Sequence, residues 1–388
     1  MAAIALPLAV ALAAGLAWAF SLALTRVRQD PRALDDRLGG LRKVHVTATP
    51  RIGGAAVALA FFAGAAVAMA FAGDATEWFI LLPCALPALV WGLIEDLTKR
   101  GAVAVRLAIT SAAAGLAYIL LDARLTKIDV PGIDYLLAMD AFSFAFTVFA
   151  ICGTAHATNV IDGLNGLSGF TTLLGAIGLG IVAWTVNDSF VLAASAVLAG
   201  SIAGFLLVNF PSGRLFLGDG GAYLIGLVLG ILSVMLVHRN SEVSPWFAPV
   251  LLAYPLWETL FSMYRRKRRG HSTGRADALH LHFLVYRRLV RWHPGTHNAV
   301  DYARRNSIAS VCMWLMPITC FALALSFWDD STLLMIAGWT FNAIYVAIYF
   351  AFVHFRIPFA LVLRAPARVP AAATVEDDAD MAPLKPMR

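Results

Sequence analysis

The sequence predicts an all-α polytopic integral membrane protein of about eleven transmembrane helices, and three observations carry that prediction. Of 388 residues, 60% are hydrophobic and only 14% are charged, against about a quarter charged in an ordinary soluble domain. Apolar runs of roughly 20 residues, the length that crosses a bilayer as a helix, recur at short intervals. The basic residues fall almost entirely into alternate links between those runs.

The runs lie at about 3–25, 54–72, 76–93, 103–121, 135–152, 164–185, 189–209, 221–238, 245–263, 308–326 and 331–353, each near the ~20-residue requirement. The first has no basic segment ahead of it and reads as an uncleaved span rather than a signal peptide. Links as short as "NDS" at 187–189 force their neighbours into antiparallel pairs. Of the 30 Lys and Arg residues, 27 lie in the links 26–53, 94–106, 210–220 and 264–307 or after residue 353. The opposite side has Arg124, Lys127 and Arg239 alone. The positive-inside rule then puts the N-terminus outside and the C-terminus in the cytoplasm. The net charge of +6 thus reports topology, and nothing points to nucleic acid. Residues 1–363 form a transmembrane domain with cytoplasmic loops 26–53, 94–106, 153–163, 210–220 and 264–307. Residues 364–388 are polar, contain Pro and lack apolar periodicity, so a disordered tail is expected. Four scattered cysteines, Cys84, Cys152, Cys312 and Cys320, read as small buried hydrophobes rather than a disulfide framework or zinc site.

The unusual polar clusters share the cytoplasmic side. They are "RKVHVTATPRIGG" (42–54), "GLIEDLTKR" (92–100), "NVIDGLNGL" (159–167), "FPSGRLFLGDGGAYLIG" (210–226) and "RADALHLHF" (275–283). One site assembled from five loops follows. Glu95, Asp96, Asp162 and Asp219 are carboxylates at helix ends, which repel one another at a low-dielectric boundary unless a cation joins them. Oxygen ligands alone suit Mg²⁺ or Mn²⁺, and Mg²⁺ held this way also binds substrate phosphates. Lys43, Arg51 and Arg106 supply cations for further phosphate charge. Gly53-Gly54, Gly218 and Gly220-Gly221 permit a backbone to approach a ligand at a helix start. Together these features favour phosphoryl or glycosyl-phosphate transfer.

Each residue alone has a plainer reading. Lys43 is an orientation charge, Asp162 a helix N-cap, Asn165 a first-turn stabiliser, Phe216 a core aromatic and "GDGG" a turn. Leu279, Phe283, Tyr286 and Val290 recur as an amphipathic stripe suited to lying on the membrane. On that helix His280 and His282, two positions apart, sit ~200° from each other and share no face. It is the common side of all five clusters that favours a site.

In that order and spacing, over residues 40–285, the clusters resemble the polyprenyl-phosphate N-acetylhexosamine-1-phosphate transferases, the glycosyltransferase family 4 enzymes that start cell-envelope glycans. "NVIDGLNGL" resembles the family's N-x-x-D-G-x-[DN]-G-L segment, "NFPSGRLFLGDGGAYLIG" (209–226) its N-x-x-P-x-x-x-F-x-G-D-x-G-S segment, and "HLHF" (280–283) its His-rich loop. "RKVHVTATPRIGG" resembles the branch acting on UDP-GlcNAc-type donors. The resemblance implies Asp219 as principal Mg²⁺ ligand with Asn159 beside it. It implies Asn165 as hydrogen-bond partner of uracil and Phe216 as its stacking platform. Asp96 is implied at the metal or the lipid phosphate, as ligand or base. Asn159 and Asp162 are implied to position the diphosphate and metal, and Lys43, His280 and His282 to contact substrate. The sequence departs from the family at Glu95, His156, Ala222 and the shortened His run.

The resulting expectation is a Mg²⁺-dependent transferase (Mn²⁺ serving as well) of the bacterial inner membrane. It moves a sugar 1-phosphate from a UDP-N-acetylhexosamine to undecaprenyl phosphate and releases UMP. Its partners are those two substrates and the lipid bilayer, with a homodimer left open. The alternatives are the phospho-MurNAc-pentapeptide branch and, from another class, a lipid-linked-sugar transporter, which calls for paired broken helices near the bilayer midplane.

Overall fold

The computed structural model describes residues 2–26, 49–71, 75–270, 279–291, 299–354 and 363–364. In chain order its helices are α1 (Ala2–Leu24), α2 (Gly53–Phe71), α3 (Thr76–Thr98), α4 (Val103–Leu120), α5 (Pro131–Leu137), α6 (Asp140–Val160), α7 (Leu167–Thr185), α8 (Ser189–Asn209), α9 (Gly218–Arg239), α10 (Phe247–Leu251), α11 (Ala253–Arg268), α12 (Leu281–Leu284), α13 (Ala299–Ser326) and α14 (Ser331–Val353). Ten of these, among the described residues, are long and apolar enough to cross a membrane. The protein is therefore a multi-pass membrane protein. A two-residue parallel pairing joins Val290 to Leu363 and Arg291 to Arg364.

Helix α9 is the axis of the bundle. Its side chains from Ala222 to Leu236 are buried almost without interruption, and it packs against α2, α3, α6 and α7. Its 22 residues span about 33 Å at 1.5 Å per residue, enough to cross the hydrocarbon layer. Asp219 stands at one end and Arg239 at the other. Helices α2 and α3 approach α9 closely because glycines face each other. A Cβ on Gly54 would overlap the backbone of Gly221, and one on Gly92 the backbone of Gly220. Gly54, Gly220 and Gly221, expected to open the backbone to a ligand, also let these helices approach.

Two expectations are corrected here. The apolar run at 245–263 is not one helix: α10 and α11 meet at Leu252. Pro255 explains the break, since it has no N–H for the Leu251 carbonyl and its ring crowds that oxygen. Among the described residues, ten long apolar helices and this broken pair stand where about eleven spans were expected. The broken pair still carries the chain between the two ends of the bundle. Ser244, before α10, bonds the Trp328 carbonyl after α13, whereas Glu258 in α11 bonds His280 near the loop that follows α6.

The stripe through Leu279, Phe283, Tyr286 and Val290 does not lie on the membrane surface. The α-helix covers only 281–284 and passes into a wider π turn over 285–289. Phe283, Tyr286 and Val290 are buried in a second core with Ile161, Leu164, Tyr254 and Tyr345. That core presses the histidine segment against the loop between α6 and α7. One boundary also moved: the run at 135–152 became a helix over Asp140–Val160. In its polar last turns the Thr154 and Thr158 hydroxyls are satisfied by the carbonyls four residues back, at Ala150 and Thr154.

Candidate active site

The site is built on the N-terminus of α9. The first N–H groups of any helix lack partners within it and form its positive end. Here Asp96, in the last turn of α3, supplies the partner. Its Oδ1 accepts the Asp219 N–H and its Oδ2 the Gly220 N–H, both at 3.0 Å. Gly218 precedes them at φ +77°, a left-handed conformation open to glycine; a Cβ there would collide with the Arg51 carbonyl and lie 2.5 Å from Asp96 Oδ2. The segment before α9 is held from the other side by a short ladder. The Phe216 N–H donates to the Pro50 carbonyl at 2.8 Å, and Gly53 and Gly54 donate to the Phe216 and Leu217 carbonyls at 2.9 and 2.8 Å.

Three more residues converge on this end. Asn159, in the last turn of α6, donates from Nδ2 to Asp219 Oδ1 at 2.7 Å. Asp162, in the following loop, accepts the Gly218 N–H. Removal from water pushes the Asp162 carboxyl up to about 7, against the pull of Arg51 and with a further push from Asp219 and Asp96. Glu95 faces Arg106 at 3.5 Å, and Arg106 donates to the Tyr223 hydroxyl at 3.1 Å, one turn into α9 from Asp219. Asp96, Asn159, Asp162 and Asp219, predicted from separate loops, thus occupy one place.

Among the described residues, no group of three or more His, Cys, Asp or Glu side chains forms a ready metal cage. What the site does contain is a set of mutually repelling carboxylates with Arg51 as counter-charge. That suits Mg²⁺, which takes one or two carboxylates and completes its shell with water and phosphate oxygens. Asp219, with Asp162 and the Asn159 amide beside it, could hold such an ion.

The other expected residues are placed as follows. Asn165 is 1% exposed and ties two loops together, donating from Nδ2 to the Pro211 carbonyl at 3.1 Å while its own N–H donates to Asn306 Oδ1 at 2.7 Å. Its Oδ1 is buried without a hydrogen-bond partner among the described residues. Phe216 is half-buried with its backbone pinned by the ladder. Lys43 lies outside the described residues. His280 and His282 do share a face, contrary to the helical expectation. His280 is extended at the N-cap of α12 (φ −62°, ψ 147°), so the ~100° step per helical residue does not apply to it. The two imidazoles stack at 5.4 Å and 3°, and His282 lies against Gly163, next to Asp162.

Two residues that hold this arrangement were given no part in the sequence reading. Asn209 bridges the loops, accepting the Gly166 N–H at 2.6 Å and donating to the Leu215 carbonyl at 2.7 Å. Glu258, fully buried, accepts from His280 Nδ1 at 2.8 Å and from the Tyr345 hydroxyl at 2.6 Å. The signal for Glu258 was available: it is the one charged residue in the run 245–263, and intramembrane ionisable residues mark function.

The fold and site define a multi-pass membrane protein with a carboxylate-rich polar end at the start of α9. The sequence model of glycosyl transferase family 4 matches residues 78–237, the stretch that holds Asp96, Asn159, Asp162 and Asp219. A decaprenyl-phosphate N-acetylglucosaminephosphotransferase of Mycobacterium tuberculosis is 30% identical over 286 residues, 65% of this chain and 70% of its own. A Bacillus subtilis protein named "probable undecaprenyl-phosphate N-acetylglucosaminyl 1-phosphate transferase" is 27% identical over 249 residues, 62% of this chain and 66% of its own. The undecaprenyl-phosphate alpha-N-acetylglucosaminyl 1-phosphate transferase of Escherichia coli K12 is 29% identical over 156 residues, 39% of this chain and 42% of its own. The chain belongs to glycosyl transferase family 4.

Proposed function

We propose that this protein transfers N-acetylhexosamine 1-phosphate, GlcNAc 1-phosphate first among the candidates, from its UDP-sugar to undecaprenyl phosphate. It would act at the cytoplasmic face of a bacterial inner membrane and release UMP. The observation that carries the reading is the convergence of Asp96, Asn159 and Asp162 on the helix end bearing Asp219. The relatives' names, which pair a prenyl phosphate with N-acetylglucosaminyl phosphate, support donor and acceptor. The distribution of basic residues, 27 of 30 in the links and tail that the sequence assigns to one side, supports a cytoplasmic site.

In the proposed reaction an oxygen of the lipid phosphate bonds to the sugar-linked β-phosphorus. The bond from that phosphorus to the bridging oxygen breaks, and UMP leaves. A phosphate monoester has its second pKa near ~6 and is largely ionised at neutral pH, so no strong base is required. Asp96 has both oxygens turned to backbone N–H groups, so its part is to fix the start of α9. Asn159 orients Asp219. Asp219 and Asp162 would hold Mg²⁺, which when bound offsets charge on the diphosphate. Phe216 would stack on uracil, while Arg51, Arg106 and the His280–His282 pair would face phosphate oxygens. The transporter reading calls for paired broken helices; α10–α11 is a single interrupted crossing among the described residues.

The test is purified protein with undecaprenyl phosphate and a panel of UDP-sugars, with UMP measured. UMP release that needs both the lipid and one UDP-N-acetylhexosamine is expected. No release with any donor would reject the reading.

A further inference from the structure

The proposed chemistry leaves Glu258 unused, yet it is the most enclosed charged residue described, at 0% exposure. It lies in α11, three residues past the proline that breaks the crossing. Both of its oxygens are acceptors. Oε1 faces His280 Nδ1 at 2.8 Å, the Leu281 N–H reaches Oε1 and Oε2 at 3.2 and 3.3 Å, and the Tyr345 hydroxyl donates to Oε2 at 2.6 Å. A carboxylate so surrounded accepts from Nδ1, so the Nδ1 proton stays on the ring and Nε2 is the nitrogen left to face elsewhere. Holding the Leu281 N–H as well fixes the backbone turn that sets His280 extended and stacks its ring on His282 at 3°. One buried side chain therefore controls the tautomer, the ring plane and the position of the imidazole.

We propose that Glu258 is the positioning residue for His280, setting the Nδ1–H tautomer so that Nε2 is the atom presented to the substrate phosphates. The proposal rests on His280 touching substrate, as in the function proposed above. Carboxylates that orient metal-ligating histidines are worth roughly 10–100-fold in affinity or activity, and the same scale is taken for Glu258 and His280.

The experiment compares Glu258→Gln, Tyr345→Phe, His280→Ala and the double variant Glu258→Gln/His280→Ala. Glu258→Gln keeps the shape and can still accept from Leu281 and Tyr345, but its amide can meet Nδ1 as a donor and so select the other tautomer. The readouts are ¹⁵N shifts of the imidazoles in detergent-purified protein, kcat and KM for the UDP-sugar, and melting temperature. Glu258→Gln should move the His280 signals from the Nδ1–H to the Nε2–H pattern and lower kcat about 10–100-fold, with donor KM changed far less. The double variant should be no slower than His280→Ala alone. Tyr345→Phe leaves the Glu258–His280 bond and should keep the Nδ1–H pattern, which preserves the test if Glu258→Gln does not fold. An unchanged kcat in His280→Ala would reject the role of His280 itself. A crippled His280→Ala beside a Glu258→Gln that keeps full kcat or the Nδ1–H signal would overturn the role of Glu258. So would a Tyr345→Phe that loses the Nδ1–H pattern, or a double variant slower than His280→Ala.

Discussion

Asp96 and Asp219 are joined through the backbone rather than through their side chains: Asp96 Oδ1 accepts the Asp219 N–H at 3.0 Å, and Oδ2 takes the next N–H at the same distance. Two carboxylates 123 positions apart in sequence are thereby held at one helix end. In the proposed reaction they have different work, Asp96 fixing α9 and Asp219 facing the ligand.

Asp96→Asn replaces one accepting oxygen with a donor that opposes an N–H. Hydrogen bonds to charged groups are worth about 1.5–3 kcal/mol, so a lower melting temperature is expected together with a fall in kcat. In the proposed role Asp96 positions rather than accepts a proton, so raising the pH should not rescue the variant. A pH–rate profile of Asp96→Asn beside wild type checks this, and recovery above pH 7 would assign Asp96 as a base.

Gly218→Ala tests the same junction sterically. A side chain at φ +77° costs about 1–2 kcal/mol from backbone conformation alone. The added Cβ also meets Asp96 Oδ2 at 2.5 Å. Both effects should lower the melting temperature and abolish most turnover, whereas Gly270→Ala, also at positive φ but with no atom of the described residues within 4 Å of the added Cβ, should keep its activity. Equal behaviour of the two variants would show that the Asp96 contact does not matter.

Asp162 gives a pH dependence with a definite sign. Its carboxyl sits at about 7 in the fold, against an ordinary value near ~4. A raised carboxyl favours the folded state below the unfolded value, and that contribution is lost as pH rises through about 7. In EDTA, wild type should therefore melt at lower temperature at pH 8 than at pH 5, and Asp162→Asn should flatten that part of the slope. Mg²⁺ requires the ionised form, so its stabilising effect should grow over the same range and shrink in Asp162→Asn. A Mg²⁺ effect that is independent of pH, or activity surviving thorough chelation, would remove the metal from this place.

Phe216→Ala should leave the fold intact, because the ladder to Pro50 and Gly53 uses only its backbone. Base–aromatic stacking is worth ~1–3 kcal/mol, so the KM for the UDP-sugar should rise about tenfold to a hundredfold while that for the lipid stays nearly constant. An unchanged donor KM rejects the stacking role.

The site was more legible in the sequence than its scaffold. Asp96, Asn159, Asp162 and Asp219 could be grouped because membrane sidedness confines charged loops to one face, and the structure brings these four together. Asn165 was visible as a polar residue, but not its burial between two loops, which depends on the distant Pro211 and Asn306. Glu258 went unseen because a hydrophobic run was counted as one span, although Pro255 lay inside it. The histidines were separated by helical periodicity that begins only one residue after His280. The pairing of Gly54 with Gly221 could not be read at all, since close helix approach depends on which helices are neighbours. Lys43 falls outside the described residues.

The most direct measurement follows the β-phosphorus. Purified protein in detergent receives UDP-GlcNAc labelled with ³²P at the β position, undecaprenyl phosphate and Mg²⁺, and the lipid and aqueous phases are separated. Transfer of sugar 1-phosphate predicts that the label enters the lipid phase in step with UMP release, and that Asp219→Asn abolishes both. Label that stays in the aqueous phase, as intact donor or as free phosphate, would contradict it.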